Sequence, residues 1–369
     1  MNSPAINSPA TNTSASSRRM PAEWEPQVAV QLTWPQQQSD WGEILPQVEP
    51  VFHAIVAAIS NHQNVIIACG NDEDTERLSN YYKQQPQVTI YRVDNNDTWA
   101  RDHGPISCYQ NQQLTLVDFQ FNGWGNKYAH DLDNQITATL HQQGAFVADS
   151  LIPSDWVLEG GSLESDGAGT LLTTQQCLLN PNRNPQLSQQ QIEQKLAQEL
   201  GFNRILWLQH GHLDGDDTDA HIDTLARFCS ADTIAYCQAD EEDAHFASLH
   251  AMEQELQQLR QHNGEPYRLI PLPLPAPQFN EDGERLPATY ANFLIINDAV
   301  LLPVYGCDQD QQALDQIVKA FPQRKIYPIN CRPVIEQFGS LHCLTMQIHT
   351  ETSLFEAPTS LIQTPAENA

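Results

Sequence analysis

The chain has 369 residues, 40% of them hydrophobic, which is enough for one large core or two small ones. Its 46 acidic and 18 basic residues give a formal net charge of −28, which makes nucleic acid and anionic membranes poor partners and favours cations. No apolar run approaches the roughly 18 residues needed to span a membrane, and the charge has an equally simple reading as a device for solubility.

Residues 1–19 read as a disordered lead rich in Ser, Thr, Asn and Ala, without the apolar stretch of a secretory signal. The Arg18-Arg19 pair is not followed by an apolar run, so a twin-arginine signal is not indicated. Residues 20–355 read as a single domain and 356–369 as a loose polar tail. Eight cysteines at irregular spacing contain no C-x-x-C pair. This argues against a zinc knuckle and a dense disulfide scaffold, and places the chain in a reducing, cytoplasmic setting.

In chain order, Ala29–Thr33 reads as a strand. Ile44–Ser60 follows with apolar residues at helical spacing, its regular part expected to begin near Pro50 because of Pro46 and Pro50. Asn64–Cys69 and Thr89–Val93 read as strands. Four segments read as a strand, a polar turn and a second strand: 105–119, 161–174, 221–237 and 291–304. Helical segments are expected at Ser188–Leu200, with Ser188 as N-cap, at Glu241–Gln261 and at Gln309–Phe321; Arg204–Leu208 reads as a strand. Ala29–Thr33 paired with a last strand over Leu341–Ile348 makes a fifth unit and closes the array, removing its edge. The fold class expected is therefore α/β, as one propeller-like domain of about five repeats, with a doubly wound sheet as the rival. No G-x-G-x-x-G or G-x-x-x-x-G-K-[ST] supports a nucleotide site.

Polar groups cluster where these hairpins begin. Trp99-Ala-Arg-Asp102-His-Gly-Pro105 leads into the first, Leu158-Glu159-Gly-Gly161 into the second and Asp219-Ala-His221-Ile-Asp223 into the third, while Gly339-Ser-Leu-His342-Cys343-Leu-Thr-Met-Gln347 forms the last strand. In a closed array these starts converge. His221 and Asp223, two apart, are expected to point the same way on a strand.

These motifs, with Met20-Pro-Ala-Glu-Trp-Glu-Pro26, Trp34-Pro35 and Phe121-Asn-Gly-Trp-Gly-Asn-Lys-Tyr128, resemble the agmatine deiminase and bacterial peptidylarginine deiminase family of the guanidine-modifying (pentein) superfamily. The resemblance runs from about Met20 to about Ile348. It implies a five-bladed α/β propeller, a hydrolase acting on a guanidinium group, most simply that of agmatine, and no cofactor or metal. It implies Cys343 as nucleophile, His221 as general acid and base, Asp102 and Asp223 as the carboxylates that grip the guanidinium, and Glu159 as the acid that orients the histidine. Trp99 and Trp124 are candidates to wall the substrate channel. The partner implied is a small cationic guanidino compound, with a homodimer allowed.

The chemistry fits these residue types. A guanidinium is planar and presents its N–H donors in fixed forks, which two carboxylates can hold. Its resonance-stabilised carbon resists water and calls for a thiolate. Departures from the family pattern are Gln27 where a His is common, Gln31 where an aromatic is common, Ala220 where Gly is frequent, and Glu336–Leu341 in place of a Gly-rich stretch; they bear on the substrate's tail.

Each residue also has a plain structural reading. Cys343, among Leu341, Leu344, Met346 and Ile348, fits a core cysteine. Asp102 fits half of an ion pair with Arg101, His221 a core histidine, and Glu159-Gly-Gly a turn. The sharpest chemical rival is a metal site in His210-Gly-His212-Leu-Asp214-Gly-Asp216-Asp217-Thr-Asp219-Ala-His221-Ile-Asp223, although an EF-hand reading from Asp214 finds Asp219 and Leu225 where Gly and Glu belong.

Overall fold

A computed structural model describes residues 18–350 apart from 147 and 149. The residues are mixed α/β, and their strands form five sheets. One motif recurs: an antiparallel hairpin, a helix, and a strand that returns parallel to the hairpin's second strand.

In the third sheet Ala226–Ser230 pairs antiparallel with Thr233–Gln238, the helix Phe246–Gln258 crosses over, and Arg268–Pro273 lies parallel to Thr233–Gln238. Leu294–Ile296, Ala299–Val304, the helix Gln309–Ala320 and Lys325–Asn330 repeat the pattern. So do Glu164–Ser165, Thr170–Thr174, the helix Gln189–Leu200 and Arg204–Leu208. Ile106–Gln110, Gln113–Gln120, the helix Ile136–Gln142 and Leu151–Val157 form another. The fifth joins the chain ends. Thr345–His349 pairs antiparallel with Gln27–Thr33, which continues in parallel through Asn64–Cys69 to Val88–Arg92. This pairing covers the edges that two terminal strands would otherwise expose.

Local sequence explains most of these elements. Asn111 and Gln112 take positive φ (53° and 69°), the backbone of the tight turn that matches hairpin twist. Ser188 accepts from the Gln191 N–H while the Gln191 side chain accepts from the Ser188 N–H, a reciprocal cap for the first turn. Gly201 ends that helix at φ 83°.

Four expectations are corrected. The first helix starts at Leu45, with Pro46 in its opening turn and Pro50 inside it, so packing of Val48, Val51, Phe52, Ile55 and Val56 outweighs one missing backbone bond. Arg18 and Arg19, assigned above to the lead, form a short strand against Tyr109 and Gln110; residues 1–17 and the tail at 356–369 lie outside the described residues. His221 and Asp223 are not on a strand: Ile222–Thr224 is a 3₁₀ turn. The last strand begins only at Thr345, and His342–Leu344 is likewise a 3₁₀ turn. Among the described residues no helix is long and apolar enough to cross a membrane, and no disulfide forms.

Candidate active site

Each hairpin is entered through a short segment that holds polar side chains. Ala100–His103 carries Asp102 before Ile106, Glu159 caps the turn Gly160–Ser162 before Glu164, and His221 caps the turn Ile222–Thr224, which carries Asp223, before Ala226. Cys343 lies in the turn before Thr345. Neighbouring turns pack on one another, so residues up to 241 positions apart meet. The fourth hairpin, starting at Leu294, supplies Asn292, which the sequence analysis passed over. Its signal was positional: it stands just before its hairpin, as the other site residues do.

A cavity of about 610 Å³, its open mouth included, is lined by Cys343, Asp102, Trp99, Trp124, Asp97, Asp40, Tyr128, Asp217, Thr218 and Gln337–Gly339. Cys343 is 4% exposed, and its Sγ lies 3.4 Å from Asn292 Oδ1. Glycine is required at two places in the wall. A side chain at Gly339 would run into the Trp99 ring, and one at Gly161 into His221 and Asp102. Glu159-Gly-Gly is therefore more than a turn. Gly161 N–H donates to Asp102 Oδ1 at 3.0 Å, and Trp124 Nε1–H to Oδ2 at 3.0 Å. Burial pushes the Asp102 carboxyl up to about 6, against the opposing pull of His221.

His221, Glu159 and Asp223 have no exposed surface and lie behind the wall. The His221 ring stands between two carboxylates, Nδ1 3.6 Å from Asp102 Oδ1 and Nε2 3.6 Å from Glu159 Oε2, and neither nitrogen makes a hydrogen bond. Burial disfavours its charge, but these acids hold its pKa well above the usual value. Glu159 takes two bonds from Arg183 Nε, at 2.7 and 2.9 Å, and despite burial this guanidinium keeps the carboxyl below its usual range. Arg183 was not foreseen. It also pairs with Asp219 at 2.7 Å and donates to Thr218 O.

Asp223 Oδ2 is 2.7 Å from His342 Nδ1, while Asp223 Oδ1 is buried without a partner. Burial would raise this carboxyl, but His342 and His221 hold it down. Burial, then the charges of Asp223 and Asp102, push the Cys343 thiol well above its ordinary pKa.

At the mouth Asp97 accepts from the indoles of Trp41 and Trp99, each at 2.9 Å, and so fixes the Trp99 wall. The acidic loop has little left for a cation. Asp216 accepts from Thr218 N–H and Ala220 N–H, Asp217 from Tyr128 and Asp219 from Arg183 and Lys127. Ala220 holds φ 64°, which accounts for glycine being the easier residue there. The group that could hold a metal ion among the described residues is Glu159, Cys177 and His221, with Glu159 already paired to Arg183.

The model of the Porphyromonas-type peptidyl-arginine deiminase family matches residues 19–348. The agmatine deiminase of Stutzerimonas stutzeri is 31% identical over 352 residues, covering 89% of this chain and 94% of that one. A cysteine-to-serine variant of C. jejuni agmatine deiminase, solved with substrate bound, is 37% identical with a TM-score of 0.86 over 93% of this chain and all (100%) of that one. A Porphyromonas gingivalis structure provisionally identified as an arginine deiminase is 46% identical with a TM-score of 0.84 over 91% of this chain and 100% of its own. On the extent of the family match and of these identities, the chain belongs to the Porphyromonas-type peptidyl-arginine deiminase family, hydrolases of amidine C–N bonds.

Proposed function

We propose that the chain hydrolyses agmatine to N-carbamoylputrescine and ammonia through a covalent thiouronium on Cys343. The observation that carries this reading is the meeting of Cys343 and Asp102 on one cavity wall, with the unsatisfied His221 ring directly behind Asp102. Asp102 and the unpartnered Asp223 Oδ1 are the acceptors that a flat cation requires. Burial and then those same two charges hold the thiol protonated. A guanidinium bound between them cancels that field, and the thiol then releases its proton to solvent through the cavity mouth, where it ends on the ammonia as ammonium.

The thiolate attacks the guanidinium carbon. His221, protonated because its pKa stands high, gives its proton to the departing nitrogen, and ammonia leaves. The C–S bond now holds the amidino group. Neutral His221 takes a proton from water, the hydroxide adds to the same carbon, and the C–S bond breaks as the hydroxyl proton passes to the departing sulfur, which restores the thiol and releases the neutral ureido product. Glu159, tied to Arg183, keeps the ring in place and favours its charged form.

Two observations favour agmatine over substrates with a carboxylate. The mouth carries Asp40, Asp97 and Asp217, which suit a distal ammonium, and no Lys or Arg lines the cavity. The names of the relatives point the same way, since the S. stutzeri and C. jejuni proteins are agmatine deiminases. Deimination of peptidyl-arginine or another guanidino compound is the second reading, favoured by the family's description. We also read the five sheets as the blades of one propeller within the described residues, with the turns at its axis.

Supplied with agmatine, arginine and an arginyl peptide in turn, the protein should release ammonia and a ureido product fastest from agmatine. Cys343→Ala should lose more than about three orders of magnitude in kcat. Turnover that survives in Cys343→Ala removes the covalent mechanism, and a preference for the peptide removes agmatine.

A further inference from the structure

The mechanism leaves the buried ring of His342 unused. His342 immediately precedes Cys343, is 1% exposed and sits deep in a set of charges. Its Nδ1 lies 2.7 Å from Asp223 Oδ2. Its Nε2 lies 2.7 Å from Glu23 Oε2 and 3.1 Å from Arg227 Nη2. Arg227 is itself fully buried, donates to Glu23 Oε2 at 2.9 Å and Glu164 Oε2 at 2.6 Å, and donates to the carbonyls of Ala291 and Phe293. Glu23 Oε1 accepts from the Ile295 N–H at 2.6 Å.

The proton on the Asp223 side can be placed by chemistry. Asp223 is held in its ionised form and has no hydrogen to give, so the 2.7 Å contact requires Nδ1–H of His342 to donate. That bond occupies one carboxylate oxygen and fixes the plane of the group. The other oxygen, Oδ1, is left buried with no partner. An unpaired anionic oxygen at zero exposure is costly unless something else fills it.

A second tie runs through the backbone. Asn292 Oδ1 accepts from the His342 and Cys343 N–H groups at 2.9 and 3.3 Å, and Asn292 Nδ2 donates to Asp223 O at 3.3 Å. The turn that carries the sulfur and the turn that carries the carboxylate are thus joined twice, once by an imidazole and once by an amide.

We propose that His342 is a positioning residue that holds Asp223 by its Nδ1–H, so that Asp223 Oδ1 stays unpaired for the substrate's guanidinium at a fixed distance from the Cys343 turn. Glu23 and Arg227 grip the far side of the ring and stop it turning. The inference rests on the reading of Asp223 as a guanidinium acceptor given above. It adds a specific requirement, a donor at the Nδ1 place, that the overall reaction does not demand.

The amide N–H₂ of asparagine falls near the Nδ1 place of histidine, and that of glutamine falls near the Nε2 place. The test compares His342→Asn, His342→Gln and His342→Ala, each checked for a wild-type thermal melt, in steady-state assays with agmatine. His342→Asn should stay within about tenfold of wild type in kcat/KM. His342→Gln and His342→Ala should lose at least a hundredfold, with KM rising by tenfold or more, because a misplaced carboxylate weakens binding before it slows chemistry. A ring that only filled space would give three similar variants with KM unchanged. The proposal falls if His342→Asn is no better than His342→Ala, or if His342→Gln keeps the wild-type KM. Should His342→Ala fail to fold, the contrast of His342→Asn with His342→Gln decides the matter. Wild-type protein inert to agmatine would instead overturn the substrate reading. The same variants, made on a Cys343→Ser background and titrated with guanidinium chloride by calorimetry, then decide the positioning role: His342→Asn should bind it at least tenfold more tightly than His342→Gln, and equal affinities overturn it.

Discussion

Two buried histidines differ in a way that separates the roles proposed for them. His342 meets a carboxylate at 2.7 Å on each nitrogen, and Arg227 besides. His221 also stands between two carboxylates, but at 3.6 Å on each side and with no hydrogen bond on either nitrogen. Both rings are almost wholly buried, so exposure does not tell them apart. A ring whose donors are already engaged at short range is a fixture. A ring held charged by nearby acids but bonded to none can give its proton away and take it back, which is what acid–base work requires.

The contrast is easiest to break at the open ring. His221→Asn should lower kcat by roughly 10²- to 10⁴-fold, the range for removal of a general acid–base, as read by ammonia release. An intact rate would move the proton chemistry elsewhere, Cys177 within 4.8 Å of the ring being one candidate.

Glu159→Gln sharpens the comparison from the support side. It strips the charge that answers Arg183, a guanidinium 1% exposed, and so leaves a buried cation with Asp219 as its remaining ion-pair partner among the described residues. Breaking a buried pair this way should cost about 3–5 kcal/mol in urea unfolding. A loss under about 1 kcal/mol would mean that Asp219 alone balances Arg183.

The smallest effect concerns pH. Asp102 must be ionised to hold a cation, and its pKa is up at about 6, so kcat/KM should fall about tenfold per unit below pH 6. Trp124→Phe removes an N–H donor that favours the ionised form, and the acid limb should move above 6. A limb that stays in place would assign it to another group. For stability the sign is reversed. A carboxyl whose folded pKa is raised favours the fold below its unfolded value near 3.8, and that contribution is lost as pH rises through 6. Asp223, held below its usual range, contributes above its unfolded value, and that contribution is lost as pH falls through its folded pKa.

Much of this molecule was legible in its sequence because the information is local. Alternating and helical patterns are set by which face of an element is buried, and turn residues such as Asn111 and Gly201 are dictated by backbone angles. The strands Asn64–Cys69 and Arg204–Leu208 and the cap at Ser188 match their sequence readings for that reason. The order of the motifs named the family.

What the tertiary structure decided was pairing between distant charges. Nothing near Glu159 in sequence marks Arg183 as its partner, and nothing near Cys343 marks Asn292. Glu23 lies 319 positions from His342, yet its carboxylate meets that ring at 2.7 Å. Residue type and spacing set which groups are available. Whether a buried imidazole is satisfied or left open depends on which other side chains the five sheets bring within hydrogen-bonding distance, and that distance exists only once distant strands such as Gln27–Thr33 and Thr345–His349 have paired.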